Sequence, residues 1–184
     1  MKPTTRSAGP PDGFRYRADL LQPEEERDLV ERIRHLPLEE FEFHGYVGRR
    51  RVLSYGWHYS FGAGTLRPTE EIPPFLLALR EKAASVAEVT ATDLAHALVT
   101  EYSPGTAIGW HRDRAVFGDV IGISLQSSCV FRLRRQTGST WERYSRTAEP
   151  RSAYLLRGPA RTEWEHSIPA VPALRYSVTF RSLR

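Results

Sequence analysis

This chain of 184 residues has very little cysteine, no long apolar run, and fewer acidic than basic side chains. Each shortage excludes something. Cys129 stands alone, so no internal disulfide and no cysteine-based zinc cluster can form. The fold needs neither an oxidising compartment nor structural zinc, and a cytoplasmic location is expected. No stretch approaches the roughly 18 consecutive apolar residues of a membrane span. Met1 to Gly13 also lacks the hydrophobic run of a secretory signal, so a soluble protein with no membrane partner is expected. Asp and Glu number 22 against 26 Lys and Arg, giving a formal charge of +4 and a pI near 9.5. That balance favours an anionic partner such as nucleic acid.

The length suits one domain with one core, expected as a monomer. Prolines and glycines crowd the opening segment, so residues 1–12 are expected to be a disordered tail outside the fold, with a single domain over 13–184. Pro23 followed by Glu24, Glu25 and Glu26 marks a helix start, and Leu29, Ile33 and Leu36 continue at helical spacing to about His35. Pro73 and Pro74 open a second helix, with Leu76, Leu79, Ala83 and Val86 on one face and an end near Ala87. Residues 40–62, rich in aromatics and valine with glycines at 45, 48 and 56, read as strands joined by turns. From Ala95 onward, alternating segments recur at 98–102, 120–125, 129–134, 140–146, 153–157, 163–168 and 175–181. The expected class is α+β, mostly β: a sandwich or jelly roll supported by two N-terminal helices.

Trp110-His111-Arg112-Asp113 places a histidine and a carboxylate two residues apart. In extended chain both side chains project to one face. A second histidine, His166, lies far downstream in Trp164-Glu165-His166-Ser167-Ile168. Two histidines and one carboxylate on one face of a metal leave the opposite positions open, as non-haem Fe(II) oxygenases require. His-x-Asp pairs also arise by chance, and the alternative for this one is a solvated turn.

The last strand bears on that choice. In Arg175-Tyr176-Ser177-Val178-Thr179-Phe180-Arg181, period two puts Tyr176, Val178 and Phe180 on one face and Arg175, Ser177, Thr179 and Arg181 on the other. With the apolar face under the helices, the polar face lines the interior, where an arginine without an anionic partner is costly. A dicarboxylate ligand answers that cost. The arginine Cα atoms stand roughly 20 Å apart at strand rise, so only long side chains reaching inward serve one small ligand. The alternative is an edge strand with both arginines in solvent.

The runs Thr100-Glu101-Tyr102-Ser103-Pro104-Gly105-Thr106-Ala107-Ile108-Gly109-Trp110-His111-Arg112-Asp113, then His166-Ser167-Ile168, then 175–181, together resemble the AlkB family of Fe(II) and 2-oxoglutarate dependent nucleic-acid demethylases. The resemblance spans about Phe14 to Arg184. It implies a double-stranded β-helix core. It also implies iron ligands at His111, Asp113 and His166, and a salt bridge from Arg175 to the distal carboxylate of 2-oxoglutarate. Tyr102 and Ser177 would hydrogen-bond that cosubstrate, and Arg181 would sit near the carboxylate that chelates iron. Thr100 departs from the family pattern, which usually has asparagine there; its hydroxyl shares a strand face with Tyr102 and replaces part of that contact. Fe(II), 2-oxoglutarate and O₂ are the implied cofactor and cosubstrates, with succinate and CO₂ as products and formaldehyde released from an oxidised N-methyl.

Arg49, Arg50 and Arg51 with Tyr55, Trp57 and Tyr59 fall where the family carries a β-hairpin substrate lid. Arginines neutralise phosphates and aromatic faces stack an extruded base, and the spacing of the three aromatics puts them on one strand face. Read blandly, the segment is a core-packing hairpin with a solvated basic turn. It also resembles the hairpin of the AlkB branch acting on wobble uridines of transfer RNA or on methylated protein. The expected substrate is an N-alkylated base in DNA or RNA. The alternatives are a methylated protein side chain, a modified transfer RNA base, or a non-catalytic module retaining the fold. His35, His44, His58 and His96 lack ligand spacing and read as surface or core residues. Phe117 and Asp119, just after the metal loop, are weaker candidates for substrate contact.

Overall fold

The computed structural model describes residues 4–43, 46–60 and 64–184, so His44, Gly45, Phe61 and Gly62 of the segment read as strands and turns lie outside the described residues. In chain order come strands β1 (Thr4–Ser7) and β2 (Phe14–Arg17), helix α1 (Pro23–Arg34), and strands β3 (Glu39–Phe43), β4 (Tyr46–Tyr55), β5 (Trp57–Ser60) and β6 (Thr65–Pro68). Helix α2 (Pro74–Ala87) and a 3₁₀ turn (Ala91–Asp93) lead into β7 (His96–Tyr102), β8 (Ile108–His111), β9 (Phe117–Leu125), β10 (Cys129–Thr137), β11 (Thr140–Ala148) and β12 (Ala153–Leu156). A short helix α3 (Gly158–Thr162) precedes β13 (Glu165–Ile168) and β14 (Arg175–Leu183).

Both long helices begin at their prolines, where a missing N–H leaves nothing unsatisfied. The backbone N–H of Gln22 donates to the Glu25 carboxylate at 2.8 Å, closing the first turn of α1. Leu29, Val30 and Ile33 of α1, and Leu76, Leu79, Ala83 and Val86 of α2, are buried. Helix α2 stops where Glu88 turns left-handed at φ 55°.

The strands form a seven-stranded sheet in the order β2-β12-β9-β14-β7-β4-β3, a five-stranded sheet β1-β11-β10-β13-β8, and a separate pair β5-β6. One apolar cluster joins α1 and α2 to the outer face of the large sheet through Val99, Ile121, Ile123, Tyr176, Val178 and Phe180. A second, around Tyr102, Val120, Phe131, Leu133 and Trp164, lies between the two sheets. The molecule is a mostly β jelly roll with its two long helices on one side.

The segment expected to be a tail is instead part of the small sheet from Thr4 to Ser7. Its residues pair in parallel with Thr140 to Arg143, covering an edge of β11 that would otherwise present unpaired backbone groups. Pro11 is buried and Ala8 packs against the inter-sheet cluster. The expected lid is likewise divided. Strand β4 is a full member of the large sheet, hydrogen-bonded to β7 from Arg50 to Tyr55, and the chain breaks at Gly56 before β5 pairs with β6. Gly56 sits at φ +75°, and any Cβ there would collide with the Ala95 carbonyl.

Candidate active site

The alternation of β14 comes out as the sequence requires. Tyr176, Val178 and Phe180 enter the helix-side core, while Arg175, Ser177 and Thr179 are buried on the other face and Arg181 is nearly so. Antiparallel pairing sets Ser177 beside Thr100 and Arg175 beside Tyr102 of β7. Facing them in the small sheet, His166 of β13 pairs with His111 of β8.

The two imidazole rings lie 4.2 Å apart between centroids. His111 Nδ1 stands 2.9 Å from the Gly109 carbonyl, which can only accept, so Nδ1 carries the proton and Nε2 keeps its lone pair. His166 Nε2 is 3.6 Å from Asp113 Oδ2, and the Phe131 ring stacks on His166 at 5.5 Å. Arg181 holds the other carboxylate oxygen, Oδ1, at 2.9 Å through Nε and 2.8 Å through Nη2. Asp113 Oδ2 is buried without a hydrogen-bond partner. Among the described residues no three His, Cys, Asp or Glu side chains already close on one point as a finished metal cage. What is built is the support: an oriented carboxylate with one orphaned oxygen beside two imidazoles. Burying such an oxygen unpartnered is costly, and a cation removes that cost.

A second orphan has the opposite demand. Arg175, 1% exposed, donates through Nε and Nη2 to Ser124 Oγ at 3.2 and 3.1 Å and lies over the Tyr102 ring at 4.6 Å, leaving Nη1 buried and unpaired. Tyr102 Oη and Ser177 Oγ share a hydrogen bond at 3.3 Å. Thr100 is buried next to Ser177 and has a hydroxyl on the same wall. An anion fits Arg175 as a cation fits Asp113.

Two residues of this environment are invisible to motif reading. His96, taken above for an ordinary core or surface residue, is 3% exposed, accepts from Arg181 Nη1 at 3.3 Å through Nδ1 and packs on Phe117. Its signal was available, since His96, Thr100 and Tyr102 alternate on one strand face. Arg161 of α3 is 4% exposed and donates to the carbonyls of Gly118, Arg114 and Phe117 at 3.1, 2.6 and 2.8 Å, pinning the loop that follows Asp113. Asp119 is tied to Arg157 at 2.5 Å, and Phe117 is a buried wall beside Arg181.

The lid residues part company. Arg49 is exposed. Arg50, paired with Tyr102, turns toward the site over the Phe41 ring at 3.8 Å, and desolvation lowers its pKa. Arg51 points the other way and is held by both oxygens of Glu101 at 2.8 and 2.9 Å, so it has its anion already. Tyr55 is 5% exposed in the helix-side core and offers no face for stacking. Trp57 and Tyr59 are half-buried on β5, with Arg114 5.4 Å above the Tyr59 ring. The break at Gly56 is why the three aromatics do not share a face.

Electrostatics make the site acid-sensitive. Burial, then the neighbouring His111, holds His166 down to about 3. Burial pushes the Asp113 carboxyl up, but Arg181, the two imidazoles and Arg161 together outweigh it and hold the group below its ordinary range. An unfolded histidine titrates near 6.5, so between there and about 3 the unfolded chain binds a proton that native His166 refuses. Stability of the metal-free protein therefore falls as pH drops below about 6.5, by roughly 1.4 kcal/mol per pH unit for this one proton. Asp113 adds to the same trend lower down, as pH falls from its unfolded value near 3.8 toward its folded one. Urea midpoints measured at pH 7.5, 6 and 5 should decline, with a shallower decline in His166→Gln; a flat series would contradict the assignment.

The sequence profile of the 2OG-Fe(II) oxygenase superfamily matches residues 13–181. The chain belongs to that family. That family is one of oxidoreductases, and membership implies Fe(II), 2-oxoglutarate and O₂. Within this superfamily the chain is similar to AlkB-type proteins. An Arabidopsis thaliana protein described as an alkylated DNA repair protein ALKBH8 homologue is 29% identical over 147 residues, covering 67% of this chain and 42% of the relative. The chain thus spans less than half the length of that relative. An uncharacterised protein of Acanthamoeba polyphaga mimivirus, L905, is 25% identical over 94% of this chain and 85% of its own. The structure of OsALKBH1 superposes with a TM-score of 0.70 at 14% identity, covering 92% of this chain and 96% of its own. A Pseudomonas putida prolyl-4-hydroxylase superposes at 0.62 with 13% identity, covering 94% and 93%. Both share the jelly-roll fold.

Proposed function

We propose that this dioxygenase oxidatively demethylates N-alkylated bases in nucleic acid, with iron on His111, Asp113 and His166 and 2-oxoglutarate anchored by Arg175. The observation that carries the site assignment is the pair of opposite buried orphans, Asp113 Oδ2 and Arg175 Nη1. A metal ion would answer the first and a carboxylate of 2-oxoglutarate the second. Bound iron with 2-oxoglutarate supplies oxidation of an unactivated C–H bond, with O₂ consumed and succinate and CO₂ formed.

The chain's own residues do the rest. Arg181 fixes Asp113 so that one oxygen faces the metal position, and the Gly109 carbonyl fixes the tautomer of His111. Tyr102, Ser177 and Thr100 line the anion's path with hydroxyls, and the ring of Tyr102 steadies Arg175. Phe131 covers the His166 ring, and Phe117 covers Arg181 and His96 behind Asp113. At the mouth, Arg49 and Arg50 offer charge for phosphate, and Trp57 and Tyr59 offer faces for an extruded base. Arg51 and Tyr55 are left out of the substrate role by their partners in the fold.

The AlkB-type relatives and the basic, aromatic rim support a nucleic-acid substrate over a methylated protein side chain. Formaldehyde release from a panel of methylated nucleosides, DNA and RNA oligonucleotides and peptides tests this directly. Release from an oligonucleotide, reduced in Trp57→Ala while uncoupled 2-oxoglutarate consumption persists, is the expected result. Release from a methylated peptide alone would replace the nucleic-acid reading with the protein one.

A further inference from the structure

The small sheet has a second face. His166 pairs with Leu133 on one side and His111 on the other, and these side chains point inward. Cross-strand partners share a face, so the intervening residues point out. They are Trp110 from β8, Glu165 and Ser167 from β13, Arg132 and Arg134 from β10, and Trp141 and Arg143 from β11, with exposed Arg112 in the loop just after β8. On this face three arginines meet a single carboxylate among the described residues, Glu165.

The tryptophans organise them. Arg132 and Arg134 lie 5.0 and 4.4 Å from the Trp110 ring centre, and Arg134 lies 4.4 Å from that of Trp141. Such stacking holds a guanidinium flat without neutralising it, and leaves its N–H edge available. Arg134 pairs with Glu165 at 2.7 Å. Arg132 donates to the Ser167 hydroxyl at 3.0 Å and Arg112 to the Thr162 carbonyl at 3.3 Å, and among the described residues neither they nor exposed Arg143 has a carboxylate partner. Arg–Trp–Arg–Trp stacking runs from β8 to β11, roughly 14 Å at ordinary strand spacing.

We propose that this outer face is a docking track for the single-stranded nucleic acid that flanks the target base, its phosphates bound by Arg132, Arg143 and, beyond the edge of β8, Arg112, while Arg134, already paired with Glu165, keeps the two tryptophans in line. Charge complementarity argues for a polyanion, and the flat array of stacked guanidiniums suits phosphates at successive positions along a flexible strand. Topology brings the track within reach of the site. β8 is the edge strand of its sheet, with His111 facing in and Trp110 facing out. A strand leaving the active site therefore crosses one β-strand to reach the track. The inference rests on the nucleic-acid reading of the site, but its test is separate.

Binding of an unmethylated 12-nucleotide single strand, as RNA and as DNA, is followed by fluorescence anisotropy across a salt series. Wild type should bind with strong salt dependence. Arg132→Gln/Arg143→Gln should weaken binding several-fold and reduce the slope of log K against log salt by about 1.4, at roughly 0.7 per lost phosphate contact on a single strand. Arg143→Glu alone, at an exposed position, should act in the same direction without risk to the fold. Consumption of a methylated mononucleoside, too short to reach the track, should stay at the wild-type rate in both variants. Unchanged affinity and slope in both would overturn the track, as would equal, arginine-dependent binding of a polyglutamate peptide, which would assign the face to an acidic protein. Oligonucleotide demethylation with unaltered binding in the variants removes the track and leaves the proposed function standing. Arginine-dependent strand binding without any demethylation does the reverse.

Discussion

Asp113→Ala, His111→Ala and His166→Ala should each abolish 2-oxoglutarate turnover, because each removes one of only three protein donors. Their structural consequences differ, and the difference is itself a check. His111 gives up one backbone hydrogen bond, so its alanine variant should fold normally by circular dichroism and fail only in metal binding. Asp113→Ala also strips Arg181 of its carboxylate, leaving a cation 12% exposed beside His96, and should lower stability by several kcal/mol. Asp113→Asn keeps the shape, loses the charge, and should remain inactive. Titration of the variants with Mn(II) under anaerobic conditions reads the metal site without reference to catalysis. Succinate production near the wild-type rate in any of the alanine variants would remove that residue from the metal.

Arg175→Ala should weaken 2-oxoglutarate binding by about 2 to 5 kcal/mol, a loss of roughly thirty- to several-thousand-fold, since the distal carboxylate would be buried without its partner. Arg175→Lys should recover only part of that loss, lacking the planar fork. Arg175→Met gives the sharper comparison. In the ligand-free protein Nη1 has no partner, so an apolar side chain of similar length should leave the melting temperature unchanged or raise it. The upward shift that wild type shows on adding 2-oxoglutarate should then be absent. A normal ligand-induced shift in Arg175→Met would overturn the pairing. A melting temperature far below wild type without ligand would instead make Arg175 a structural residue, held for Ser124 and Tyr102.

Local periodicity carried far in this chain because the catalytic elements are short strands with one polar and one apolar side. Arg175, Ser177, Thr179 and Arg181 must go inward if Tyr176, Val178 and Phe180 meet the helices, and the structure has them so. The same reasoning failed over residues 49–59, where strand continuity was assumed across Gly56. One left-handed residue ended β4 and started a new strand, sending Tyr55 into the core while Trp57 and Tyr59 stayed at the rim. The tail reading failed for a related reason. Composition describes what a segment can do by itself, and the edge of β11 supplied a partner that composition does not record.

The amino-acid sequence by itself determined the two long helices and the mostly β jelly-roll class, and it singled out the residues proposed for a metal and a dicarboxylate, while the short helix α3 was not legible in it. Tertiary structure alone decided how three adjacent arginines divide. Arg49 stays in solvent, Arg50 turns toward the site, and Arg51 is taken by Glu101, a carboxylate 50 positions away. It also brought His96 to Arg181 and laid Arg161 across the carbonyls of the metal loop. The reason is physical: alternation assigns a side chain to a face, but its charge state and availability depend on which distant strand is hydrogen-bonded beside it.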